Sequence, residues 1–302
     1  MHFFDYIFLL RPTLWVPVWT FFLLGAYRGK VLSGGQASAP HFADAFVLYT
    51  LLMGGVYILN QIVDIESDRA NKKLYLLPEG YIKISHAWIE LCALFGIAWI
   101  SAISFSVEFR IILLLSMILG ILYSATPFKF KGRPMLDLLS NSFGYGILAF
   151  SLGWATANPF SKTTLLYALP YFFAVGGVFI NTTIPDIKGD KQANKITTGI
   201  FLGEQRAYWL STIFILISFV LSIYLRDWIC GTASLVAIPL FVWAAVKHNL
   251  KACFISIRVG APILVLLIGI KFWWFIPLLA LVFFGMRIYY KRRFNIIYPK
   301  IV

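Results

Sequence analysis

The sequence predicts an all-α polytopic membrane protein that crosses the bilayer nine, or ten, times. Three observations carry that prediction. The 302 residues are 60% hydrophobic and 18% aromatic, and only 13% are charged, against about a quarter in a soluble domain. The apolar residues are gathered into runs of about 20, the length of a membrane-spanning helix. The charges collect between the runs. A buried soluble core is excluded, because too little polar sequence remains to cover it.

The runs fall at 6–27, 43–63, 85–107, 109–125, 135–157, 163–184, 205–225, 228–246, 254–270 and 273–290. The first, in "MHFFDYIFLLRPTLWVPVW", lacks a basic leader and a small-residue cleavage site, so it reads as a membrane helix and not as a signal peptide. The loop-like stretch "GGQASAPH" separates it from the second run, which ends in "NQIVDIESDRANKK". The fourth ends in "YSATPFKFKGRP", and Asp137 near the start of the fifth reads as a helix-end carboxylate. The sixth ends in "PDIKGDKQANK". Only Lys271 and an aromatic cluster part the last two, hence nine or ten helices.

If all ten runs cross, the termini and even-numbered loops hold 20 of the 26 lysines and arginines, and the odd-numbered loops hold 6. That asymmetry puts the N-terminus and the even loops in the cytoplasm. It also accounts for the net charge of +13 without nucleic acid. Cys92, Cys230 and Cys253 are scattered through apolar sequence and read as packing residues.

The chain has 13 acidic residues, and the two stretches after runs two and six hold five of them. Both read D-x-x-x-D: Asp64 and Asp68, then Asp186 and Asp190, 122 residues later. On a helix, positions four apart share a face with Cβ atoms about 5–6 Å apart, and Asn60 extends the first stripe by one turn. Paired carboxylates at that spacing suit Mg²⁺, which binds a couple of carboxylates together with substrate phosphates. Two pairs meeting across a cavity would hold metal ions, expected to be two, bridging a diphosphate, with neighbouring lysines on its oxygens. Both pairs follow even-numbered runs, so they share one membrane face. The chain then divides into parallel pseudo-repeat halves at roughly 1–130 and 131–250, with C-terminal helices over 251–302, in a single transmembrane domain.

Asn60-x-x-x-Asp64-x-x-x-Asp68, the second Asp186–Asp190 pair, the Tyr123–Pro134 segment and an early Arg11 together resemble the UbiA superfamily of intramembrane prenyltransferases. The resemblance implies a bundle of nine helices around a central cavity open sideways to lipid. It implies Mg²⁺-dependent transfer of a polyprenyl group from its diphosphate to a lipophilic acceptor within the bilayer. By position, Asp64, Asp68, Asp186 and Asp190 would hold Mg²⁺, with Asn60 beside them. Arg11, Lys72, Lys129 and Lys131 would contact the diphosphate, Tyr123 would lie near the reacting carbon, and Asn141 would line the cavity.

Two departures stand out. Gln61 replaces a frequent aspartate, an opening that resembles the homogentisate-prenylating branch and hints at an aromatic, quinone-precursor acceptor. Tyr75 replaces an expected arginine, a contact that Lys73 could supply. Ether-lipid glycerophosphates and chlorin alcohols fit the same motifs. Asn181 is a candidate cavity liner. A cation transporter is the rival from another class, but it calls for midplane sites on inverted repeats, and lysines beside a cation path would repel the cargo.

Overall fold

In the computed structural model, which describes residues 3–34, 41–70, 75–192 and 196–299, every regular element is helical. A short α1 (Phe3–Leu9) leads through a 3₁₀ turn (Pro12–Leu14) into α2 (Trp15–Leu32). Then come α3 (Phe42–Ala70), α4 (Ile84–Ala102) and α5 (Val107–Ser124). The fifth apolar run forms one column, α6 (Leu136–Asn141), a π-helical stretch (Ser142–Ala149) and α7 (Phe150–Trp154). After α8 (Lys162–Thr183) follow two short helices, α9 (Ile187–Gln192) and α10 (Thr198–Leu202). The bundle ends with α11 (Glu204–Tyr224), α12 (Trp228–Lys247), α13 (Leu250–Lys271) and α14 (Phe275–Phe294).

Among the described residues, eight spans are long and apolar enough to cross a bilayer, the first being α1 and α2 taken together. The π-interrupted column and α14 stand outside those eight. The last two apolar runs form separate helices, parted at residues 272–274.

The starts of the helices follow local chemistry. Ser106 accepts from the Phe109 amide, Asp227 from Cys230 and Asn249 from Ala252, each satisfying an orphan donor of the first turn. Ser161 and Thr164 form a reciprocal capping box at α8. At 29 residues, α3 runs about 44 Å and outreaches a hydrocarbon core of about 30 Å. Its acidic end therefore emerges towards water.

Small residues bring backbones together where lipid supplies no hydrophobic drive. On α2, a Cβ at Gly25 would fall 1.8 Å from the Phe150 carbonyl oxygen, and on α7 one at Gly153 would fall 1.8 Å from that of Phe22. The two helices thus touch through reciprocal glycines.

Buried ion pairs tie distant segments at both ends of the bundle. At the end of α2 far from Arg11, Arg28 Nε lies 3.4 Å from Asp227 Oδ2, and the Tyr171 hydroxyl donates to the same oxygen at 2.7 Å. Near the chain termini, Asp5, fully buried in α1, accepts from the Tyr289 hydroxyl at 2.6 Å and from Arg293 Nε at 3.2 Å.

Candidate active site

Asn60, Asp64 and Asp68 occupy the last turns of α3 on one stripe, as their four-residue spacing requires. Asn60 Nδ2 donates to Ser124 Oγ at the end of α5, at 3.1 Å. Lys131 Nζ donates to Asp64 Oδ2 at 2.6 Å, and the two side chains are 15% and 21% exposed. The sequence after α5 delivers this lysine by a sharp reversal: Lys129 adopts φ 42, and a 3₁₀ turn over Phe130–Gly132 follows. Burial draws the Lys131 pKa below its ordinary value, against the opposing pull of Asp64 and, more weakly, Asp68.

These groups open onto a cavity of about 370 Å³. Six of the residues singled out in the sequence line it: Arg11, Asn60, Asp64, Tyr123, Lys131 and Asn141. Asn141 Nδ2 donates to the Tyr123 hydroxyl at 3.3 Å, so the two are held as a pair. Arg11 does not sit inside a first helix as expected. It takes φ 54 at the break between α1 and the Pro12 turn, because proline lacks the amide that a continuing helix would need. The break points Arg11 into the cavity wall.

The second motif hangs below α8. Asp190 closes a helical turn back to Asp186, its amide donating to the Asp186 carbonyl at 2.8 Å. Thr197 Oγ1 donates to Asp190 Oδ2 at 3.2 Å. Asp186 is exposed and Asp190 half-buried. Neither lines the cavity, nor do Asp68 and the exposed Lys129. Lys72 and Lys73 lie outside the described residues.

Among the described residues, no three His, Cys, Asp or Glu side chains stand close enough to hold a metal ion unaided. The donor set nonetheless fits Mg²⁺, which takes one or two carboxylates and completes its shell with water and phosphate oxygens. The ammonium of Lys131 already places a cation against Asp64.

Sequence reasoning stopped short of several wall residues. Tyr49, Met53, Val56 and Tyr57 continue the Asn60 stripe backwards along α3, and Ser116 and Gly120 do the same from Tyr123 on α5. Helical periodicity extended from the motif was the available signal. The π-helical stretch contributes Gly144 and Tyr145, a distortion frequent at functional sites that no pattern in the chain announces.

Beyond Asn141 and Tyr145, which stand in both walls, lies a second and larger chamber of about 630 Å³. Val16, Phe21, Val178, Ile215, Ala237 and Leu264 exemplify its lining, and among the described residues no charged side chain is part of it.

Two residues have other roles than the sequence suggested. Gln61 is buried away from the cavity, its amide donating to the Leu9 carbonyl at 2.7 Å and that of Tyr57 at 3.1 Å. Its amide ties α3 to the end of α1. Asn181 is no cavity liner. It is fully buried, donating to Ser256 Oγ at 2.9 Å and accepting from Ser211 Oγ at 2.6 Å.

The model of the UbiA prenyltransferase family matches residues 14–253. The chain belongs to the UbiA prenyltransferase family. The expectation of an enzyme holds at that level, and both Asp motifs of this UbiA-family chain fall within the matched residues. It is 28% identical over 223 residues to a lycopene elongase/hydratase of Haloferax volcanii, covering 67% of this chain and 66% of that protein. It is 30% identical over 205 residues to a digeranylgeranylglyceryl phosphate synthase of Sulfurisphaera tokodaii, covering 66% and 71%. The chain thus spans about two thirds of the length of these curated relatives. Among solved structures, a UbiA homologue from Archaeoglobus fulgidus bound to GPP and Mg²⁺ superposes with a TM-score of 0.67 at 22% identity, covering 88% of this chain and 99% of that one. At that identity the likeness establishes the fold: this UbiA-family protein is an all-helical integral membrane protein, the fold class the sequence predicted, with eight candidate spans among the described residues.

Proposed function

We propose that the protein is a Mg²⁺-dependent intramembrane prenyltransferase, moving a polyprenyl group from its diphosphate to an uncharged lipophilic acceptor. The observation that carries this reading is the cavity of about 370 Å³ in which Asp64, Lys131, Arg11 and Tyr123 converge beside the C-terminal turns of α3. Asp64, Asp68, Asp186 and Asp190 would hold Mg²⁺, which when bound neutralises the diphosphate and helps it leave.

The chain's own residues account for the rest. Lys131 exchanges Asp64 for a phosphate oxygen as the donor enters, and Arg11, in the same cavity wall, meets the diphosphate from the break after α1. Both favour the charge that builds on the leaving group as the allylic C–O bond breaks. Tyr123 offers a π face to the allylic cation, held in place by Asn141. The apolar enclosure excludes water that would quench it.

The larger chamber supports the acceptor class. A glycerophosphate in it would find no cationic partner among the described lining residues, and an unpaired buried charge costs several kcal/mol or more. An uncharged ring or hydrocarbon would lose nothing there, and aromatic quinone precursors belong to that class. The 20-to-6 distribution of lysine and arginine supports a cytoplasmic N-terminus and cytoplasmic Asp motifs.

The test is diphosphate release from geranylgeranyl diphosphate by purified protein, with and without Mg²⁺, across a panel of charged and uncharged acceptors. Mg²⁺-dependent transfer that disappears in Asp64→Ala and in Asp186→Ala is the expected result. No turnover with any pair, together with Mg²⁺ flux into liposomes, would replace the enzyme with a transporter.

A further inference from the structure

Asp137 touches neither chamber, is 1% exposed, and has both carboxylate oxygens engaged. Oδ2 accepts from the Thr198 amide at 2.9 Å, and Oδ1 from the Thr198 hydroxyl and from the Leu138 amide at 2.7 Å. Thr198 is itself fully buried, and its hydroxyl accepts from the Met135 amide at 2.7 Å. A carboxylate taken this far from water survives only when such donors satisfy it, and an amide in its place, with a single acceptor oxygen, could not serve them all. It stands apart from both chambers, and its oxygens serve Thr198 and the Leu138 amide.

What the clasp holds is the second aspartate motif. Thr198 opens α10, and the residue before it, Thr197, donates to Asp190 Oδ2 at 3.2 Å. Two adjacent threonines thus link Asp190 to Asp137. The docking is close on the other side too: a Cβ at Gly199 would fall 2.6 Å from Thr183 Oγ1, at the end of the helix from which Asp186 hangs. The Asp137 carbonyl also accepts from Asn141 Nδ2 at 2.8 Å, the same amide that donates to Tyr123. One residue therefore stands between a carboxylate of the second motif and a polar pair in the cavity wall.

We infer that Asp137 is a positioning residue, which through Thr198 and Thr197 orients Asp190 and so sets the strength with which the site holds a divalent cation with diphosphate. The inference rests on the prenyltransferase reading, and its test is independent of turnover. Mn²⁺ replaces Mg²⁺, inorganic diphosphate replaces the donor, and bound Mn²⁺ is counted by electron paramagnetic resonance on the purified full chain.

Groups that orient metal ligands are worth about 10–100-fold in metal affinity. Asp137→Asn and Thr197→Val are each expected to weaken Mn²⁺ binding about tenfold on that basis. Thr198→Ser, which keeps the hydroxyl, restores wild-type affinity, and Asp137→Asn with Thr197→Val is no worse than Asp137→Asn alone. Thr197→Val leaves the buried clasp intact, so it reports even where Asp137→Asn fails to fold. Wild-type affinity in folded Thr197→Val, beside normal binding by the parent, overturns this inference and spares the prenyltransferase. No Mn²⁺ binding by the parent with diphosphate removes both.

Discussion

Replacing Lys131 by methionine keeps most of the side-chain stem and removes the ammonium. Because Lys131 and Asp64 are only 15% and 21% exposed, the figure of about 0–1 kcal/mol for surface pairs does not apply. A hydrogen bond to a charged partner contributes about 1.5–3 kcal/mol, and each 1.4 kcal/mol is about tenfold. Once the ammonium serves the diphosphate, its loss lowers kcat/KM by about 10- to 150-fold. The pH profile supplies a sharper test. Burial lowers the Lys131 pKa, so in the free enzyme the proton leaves before the ordinary lysine range is reached. Activity that needs the ammonium then falls as pH rises through that lowered value. The bound diphosphate favours the charged form, so kcat holds to higher pH than kcat/KM. Lys131→Arg stays charged throughout and moves the alkaline limb upward. The assay is initial-rate prenyl transfer from pH 6 to 10.5, with buffers of matched ionic strength. Lys131→Met within about twofold of wild type, or a limb unmoved in Lys131→Arg, would refute the reasoning.

Three further outcomes follow from the same structure. Asp227→Ala removes the counter-charge of Arg28, which keeps only the Leu225 and Arg226 carbonyls, and leaves the Tyr171 hydroxyl without its acceptor, a loss of about 3 kcal/mol. It should lower Tm in detergent while leaving kcat/KM at permissive temperature unchanged, since the pair lies at the other end of α2 from Arg11. Gly153→Leu drives a side chain into the Phe22 carbonyl, 1.8 Å from the ideal Cβ. It should exceed the usual overpacking penalty of about 1–3 kcal/mol and abolish the monodisperse peak in size-exclusion chromatography. Ala237→Phe intrudes on the larger chamber, and it should lower kcat/KM for long lipophilic substrates by about 5- to 150-fold relative to short ones, an overpacking cost borne by the longer chain.

The stripe Asn60–Asp64–Asp68 could be read directly because helical periodicity is a local property, and so could its likeness to Asp186–Asp190. Tyr123, Lys131 and Asn141 were within reach by resemblance, and the structure brings them to one cavity with Arg11. What stayed hidden depends on partners far away in the chain. Gln61 looks like a variant of a functional position until the Leu9 carbonyl appears beside it. Asn181 looks like a cavity liner, yet it belongs to a junction with Ser211 and Ser256. Asp137 reads as a helix-end carboxylate, and only the return of the chain at Thr198 explains why a carboxylate is there. The π-helical stretch is a matter of register against neighbouring helices, which single-chain periodicity does not encode.

The contact between Asp5 and α14 also bears on how the protein is made. Tyr289 and Arg293 follow Asp5 by 284 and 288 residues. At a synthesis rate of about 5–20 residues per second, those partners emerge roughly 15–60 s after it. Throughout that interval the first helix must keep an anion near the membrane surface without them. The contact between α1 and α14 can therefore form only after α14 has been made, so one of the ties of the first helix is among the last to form.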